Sequence, residues 1–249
     1  MSAGISAQKA IEELRQNPAK FKDPESLRRL ASQFDADAPG RLTVLYSGRV
    51  TELIGSNHVI EAMIERGGDI RAINKSQAAL FLNGRDFGAA LAAAFGAPHR
   101  EIQDGTYRGP ATDWLYHPTE GPWADASARF ANATVGEVRA IVSHAQPNRV
   151  FGEIELPRIL ANPNVTTIEG IPREALLGVG NRHGRQAAFE VIVARAFEHV
   201  GMLRIPAGVD DLRDWKNVLR VDTRDYLRGT PLVGHSVIQD DFTLPMSAR

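Results

Sequence analysis

The chain has 249 residues, 43% hydrophobic and 24% charged, which suits a globular protein with one large core or two small ones. It carries 29 basic and 30 acidic residues, a formal charge of -1, so no whole-chain field draws it to nucleic acid or an anionic membrane, and a small-molecule partner is the better expectation. With no cysteine, disulfides, thiolate metal sites and thiol nucleophiles are excluded.

The opening "MSAGISAQKAIEELRQNPAK" lacks the apolar stretch of a cleaved signal peptide, and no apolar run approaches the roughly 20 residues that cross a bilayer. The expected location is therefore the cytoplasm, or outside it by a route without such a signal. Ala10, Ile11 and Leu14 form a helical stripe that Asn17-Pro18 stops. A second helix opens where Asp23 caps a first-turn Pro24, with Leu27, Leu30 and Phe34 along one face. Pro39-Gly40 then closes an N-terminal helical arm, residues 1–40.

"RLTVLYSG" from Arg41 reads as a strand ending at Gly48, and "NHVIEAMIERGG" as a helix with Gly67 at its C-terminal cap. The Ala-rich stretch from Lys75 to Pro98 is helical in two pieces that break near Asn83-Gly84. From Pro98 to Pro122 the chain is loop-like and marks a boundary between lobes. Beyond it the helix "ADASARFANAT" precedes the expected strands "EVRAIVS", "RVFGEIEL" and "NVTTIEG". A long helix, "RQAAFEVIVARAFEHVG", then leads into "MLRIP". The fold class is α/β, with a helical N-terminal lobe and a small, mostly parallel sheet flanked by helices. After Val209 a short amphipathic helix around Trp215 and a polar tail complete the chain.

Trp123, Ser127 and Phe130 fall at i, i+4 and i+7 and share one helix face, for which core packing is the ordinary reading. On a strand, alternation sets Phe151, Glu153 and Glu155 on one side, and two like charges so placed ordinarily face solvent. Read in order, however, "LYSGR" at Leu45, "WADASARFA" at Trp123 and "VFGEIEL" at Val150 resemble three segments of the ADP-ribosyl cyclase and cyclic ADP-ribose hydrolase family. These are its tryptophan-serine segment, its W-x-x-x-S-x-x-F-A helix and its phenylalanine-glycine-x-x-glutamate strand. The resemblance covers Arg41 to Ile205 and implies an NAD-processing domain over 41–205, with a C-terminal extension over 206–249.

The resemblance implies that Glu155 is the catalytic glutamate, Trp123 a substrate-stacking wall, Ser127 a pocket hydroxyl and Phe151 the aromatic neighbour of the glutamate. Tyr46 stands where the family has tryptophan. Ser47 matches a phosphate-contacting serine, and Arg49 substitutes for an arginine that Gly48 replaces. "AINKS" takes the place of a T-L-E-D-T stretch, so Asn74 stands where an acidic residue contacts nicotinamide and restrains cyclisation. The cysteine-free chain departs from the disulfide-rich animal members.

The implied activity is NAD glycohydrolase, releasing nicotinamide and ADP-ribose, with ADP-ribosyl cyclase activity as a second outlet. NAD is the substrate, with no cofactor and no metal. A free-standing enzyme of this kind fits a toxic effector, whose partner is a cognate inhibitor (immunity) protein rather than nucleic acid or membrane.

Two other readings stay open on the residues. "TYRG" at Thr106 with "GEIEL" offers Arg108, Glu153 and Glu155 as a mono-ADP-ribosyltransferase trio, although the S-T-S stretch of that family is absent. "GVGNRHG" at Gly178 offers a glycine turn that could cradle phosphate in a non-catalytic nucleotide-binding module, with a plain loop and helix start as the simpler account.

Overall fold

In the computed structural model, which describes residues 6–48, 55–65, 69–96, 115 and 117–201, the N-terminal arm is helical where its apolar residues recur. Helix α1 (Ala7–Gln16) buries Ala10, Ile11 and Leu14, and the Ser6 hydroxyl caps it by accepting the Lys9 N–H. After a 3-10 turn (Pro18–Lys22), helix α2 (Pro24–Ala31) starts on Asp23, whose carboxylate accepts the N–H groups of Glu25 and Ser26. The arm shares its core with the rest of the chain. Leu14, Leu27 and Phe34 belong to the same buried cluster as Phe81, Phe130, Val138 and Phe151.

Strand β1 (Leu42–Tyr46) leads through α3 (Ser56–Glu65) to the two-residue β2 (Ile70–Arg71). A 3-10 turn (Ile73–Lys75) precedes α4 (Gln77–Leu82) and α5 (Arg85–Phe95), which are divided at Asn83-Gly84 as the sequence predicts; α5 stops at Gly96 with φ 63°. Helix α6 (Pro122–Asn132) enters β3 (Gly136–Ile141). Beyond β3 come a π-helical turn (Phe151–Glu155), α7 (Leu156–Ala161), β4 (Val165–Ile168), β5 (Ile171–Pro172), α8 (Arg173–His183) and α9 (Arg185–Gly201).

The sheet order is β2-β1-β3-β4-β5, parallel except for the antiparallel β5. The protein is therefore α/β with a five-stranded, mostly parallel sheet flanked by helices. β1 connects outward to β2 on one side, whereas β3 connects outward to β4 on the other. Their carboxyl ends thus diverge at the sheet's topological switch point, where open α/β sheets hold ligands.

One expected strand is a helix. Residues 151–155 form the π turn, closed by the Leu156 N–H on the Phe151 carbonyl five residues back, and run straight into α7. Two causes meet here. Parallel neighbours β3 and β4 require a crossover, which a strand cannot supply. Pro157, early in α7, has no N–H and crowds the carbonyl four residues before it, so the turn widens ahead of it.

"GVGNRHG" also departs from expectation, because Gly178 and Gly180 lie inside α8 and the chain breaks only at Gly184. Residues 178–183 are thus helical, and the loop and helix start reduce to Gly184 and Arg185, the first residue of α9. Gly67, most of 98–122, "MLRIP", Trp215 and the 206–249 extension lie outside the described residues.

Candidate active site

Glu155 ends the π turn with 4% of its surface exposed. Burial pushes its carboxyl up to about 7, against which the adjacent Ser127 hydroxyl, one face of α6, favours the charged form. Among the described residues little else supports the carboxylate, and its charge is poorly compensated there. Glu169 is the other buried acid among the described residues, and it is treated differently: its carboxylate accepts the Ala140 N–H and lies 4.0 Å from the Arg139 guanidinium. Glu169 extends the hydrogen bonding of β3 past the end of β4, which is a structural task.

Tyr46 is the last residue of β1, paired with Ile141 at the end of β3, and so stands at the switch point. Burial, then the charge of Glu155, then that of Glu61 on α3 push its phenol above the ordinary range. The carboxylate, the phenol and the serine hydroxyl thus come from three elements, and the structure brings them together. No pattern in the sequence marks Glu61, an ordinary exposed glutamate on a helix whose buried residues are Ser56, Val59, Ile60 and Met63. Only the docking of α3 on β1 places it near the phenol.

Trp123, one turn before Ser127 on α6, is half-buried and packs on the core, and its indole Nε1 is buried without a hydrogen-bond partner. Asn74, in the 3-10 turn that packs on α6, buries its Oδ1 likewise without a partner. An unpaired buried donor and an unpaired buried acceptor are costly; the first lies on α6 and the second on the turn packed against it.

The remaining candidates divide. Ser47 anchors the switch loop through its backbone: its N–H donates to the Ile141 carbonyl at 3.1 Å, and its carbonyl accepts the Ser56 hydroxyl at 3.0 Å. Gly48 follows at φ 74°, and a Cβ there would meet the His144 carbonyl at 2.9 Å, so the loops leaving β1 and β3 touch. Phe151 is fully buried against Phe189, with ring centroids 5.9 Å apart; it anchors the π turn in the core. Arg49 and Arg108 lie outside the described residues.

Glu153 and Glu155 do not share a face, contrary to the strand reading. Glu153 turns outward, where both its carboxylate oxygens accept from the Arg185 Nη2 at 2.9 Å, and Glu155 turns inward. A cavity of about 200 Å³ beside Glu153, Gly152 and Phe189 lies on that outer side. A larger groove, about 690 Å³, runs between α1 and the α4–α5 corner and shares no residue with the Glu155 cluster. Size alone does not select a candidate site; a buried, poorly compensated carboxylate is the stronger candidate signal.

Among the described residues no group of three His, Asp or Glu side chains is placed to hold a metal, and no helix is long and apolar enough to cross a membrane. Comparison of the chain with family models, curated proteins and solved structures returns no significant match.

Proposed function

We propose that the chain is an NAD glycohydrolase in which Glu155 is the essential carboxylate. The observation that carries this reading is a carboxyl buried to 4% exposure at the switch point of a parallel sheet, with its proton held up to about 7 and aromatic residues Tyr46 and Trp123 on neighbouring elements.

The chemistry needs one carboxylate. The nicotinamide of NAD is already cationic and departs as a neutral base, so no acid has to protonate it. Positive charge instead develops on the ribose, and a buried carboxylate stabilises it strongly because little water competes. A cationic ring also favours the ionised form of Glu155 on binding, which offsets the cost of its burial. Trp123 and Tyr46 offer flat faces for the ring system, and the unpaired Asn74 Oδ1 suits the N–H₂ of a carboxamide. Water captures the ribosyl cation to give ADP-ribose and a proton; capture by the adenine of the same molecule gives a cyclic product. A cytotoxic role restrained by an inhibitor protein belongs to this proposal as its biological setting.

Incubating the purified full-length chain with NAD and separating the products tests the reading. Nicotinamide together with ADP-ribose, with or without a cyclic product, is the expected outcome. Nicotinamide matched by ADP-ribosylated protein would install a transferase in its place, and intact NAD would reject both.

A further inference from the structure

The groove of about 690 Å³ between α1 and the α4–α5 corner has an apolar floor and a charged rim. Ile11, Phe81 and Phe87 are buried along the floor, while Leu80 stands on the edge with 63% of its surface exposed. A single exposed leucine is ordinary on a protein surface, but this one continues an apolar floor that runs between two helices. The rim carries both signs. Arg15 of α1 meets Asp86 of α5 at 3.7 Å, whereas the exposed Glu12 on the α1 wall and Arg85 on the α5 wall have no charged partner among the described residues.

We propose that this groove receives the amphipathic stretch Asp211–Arg220 of the same chain, docked as a helix. Leu212, Trp215 and Leu219 recur at i, i+3 and i+7, so a helix here carries one apolar stripe. The stripe runs about 10 Å, within the roughly 15 Å of the ten-residue α1 wall. A stretch this short does not hold a helix in water by itself, and an apolar surface to lie on supplies what it lacks. Helical geometry sets Asp211 on one flank of the stripe and Lys216 and Arg220 on the other. The two flanks therefore match the two walls: the basic flank faces Glu12 and the acidic one faces Arg85, which fixes the orientation of the helix more than its affinity. The tether is long enough. Ten residues, Met202–Asp211, separate Gly201 from Leu212 and extend to about 35 Å, roughly twice the radius of gyration expected of a domain of about 200 residues. Held on such a tether, the stretch meets the groove at an effective concentration on the order of millimolar, which a second molecule would have to match. The groove shares no residue with the Glu155 cluster, so the proposal does not depend on the NAD reading.

Because the chain has no cysteine, engineered disulfides report the docking without background. In the full-length chain Arg220→Cys is combined with Gln8→Cys or Gln16→Cys, at the two ends of the α1 wall, or with Val135→Cys, which is 59% exposed and lines no part of the groove. Mild oxidation followed by non-reducing electrophoresis and peptide mapping gives the rate of each cross-link. One of the two groove pairs is expected to close within the chain at least about fivefold faster than the Val135 pair. Leu80→Asp, a change at an exposed position that leaves the core intact, should bring that pair back to the control rate with the circular dichroism spectrum unchanged. Groove pairs no faster than the control, or a fast pair that Leu80→Asp does not slow, would overturn the proposal. Disulfides that join two chains rather than one would overturn it as well and give the groove to a second copy.

Discussion

Arg71 and Glu155 are both buried, and both lie against α6, Arg71 at its C-terminal end and Glu155 beside the middle turn that carries Ser127. The fold surrounds Arg71 with partners: Asp37 at 2.7 Å, the Thr43 and Thr134 hydroxyls at 3.2 and 3.1 Å, and the Phe130 carbonyl at 3.1 Å. The guanidinium also lies 4.1 Å from the centroid of the Phe130 ring. This joins the N-terminal arm, β1, β2 and the last turn of α6, whose dipole favours a cation. Among the described residues, Glu155 has one serine hydroxyl against the cost of burial. A buried charge with its partners built in serves the fold. One left without them raises the free energy of the folded chain and gains only when a cationic ligand arrives, which is how a binding or catalytic carboxylate is poised.

Five experiments break or sharpen that contrast. Glu155→Gln keeps the shape and removes the charge, so nicotinamide release should fall by about a thousandfold or more, with the circular dichroism spectrum unchanged. Turnover near the wild-type rate would take Glu155 out of the chemistry. Arg71→Met strips the donor from Asp37, Thr43 and Phe130 at once, and urea unfolding should report a loss of about 3–5 kcal/mol. A loss under about 1 kcal/mol would mean that the hub is ornamental rather than structural.

The third experiment uses pH. Glu155 binds its proton more tightly in the folded chain, at about 7, than at its ordinary 4.5, so its contribution to stability is favourable at low pH and is lost as pH rises through about 7. Glutamine carries no such penalty. Glu155→Gln should therefore be more stable than wild type by on the order of 3 kcal/mol at about pH 8, and by little at about pH 4. Catalysis runs the other way, because the carboxylate is the working form: wild-type kcat/KM should climb through about pH 7 to a plateau. Equal stability of the two proteins at both pH values would show that burial does not cost Glu155 its charge.

Gly152→Ala probes the support beneath the site. A Cβ there would sit 2.1 Å from the Pro147 carbonyl oxygen, so the π turn or the loop before it must shift. A loss of about 1–3 kcal/mol in stability is expected, with a fall in kcat as Glu155 moves off its position; unaltered values for both would show that the loop yields freely. The smallest effect is expected at Asn74. With a neutral amide there, the native chain should yield a detectable cyclic ADP-ribose fraction, and Asn74→Glu should reduce it under single-turnover conditions. The absence of cyclic product from both proteins would detach Asn74 from the partition.

The N-terminal arm, the break between α4 and α5, and the common face of Trp123, Ser127 and Phe130 were legible in the sequence. Each rests on local chemistry: an Asp23 cap before Pro24, a helix broken at Asn83-Gly84, and a spacing that matches the helical turn. What the sequence left undecided depends on distant partners. "VFGEIEL" alternates like a strand, and only the need to cross from β3 to the parallel β4, with Pro157 widening the turn, makes it helical and sends Glu153 and Glu155 to different surroundings. β2 and β5, two residues each, have no periodicity to read and exist because β1 and β4 offer open edges. Arg71 and Glu61 look like ordinary charged residues in the chain. Packing alone turns one into a buried hub and brings the other toward Tyr46, because burial and electric field are properties of neighbours that the sequence holds dozens of residues apart.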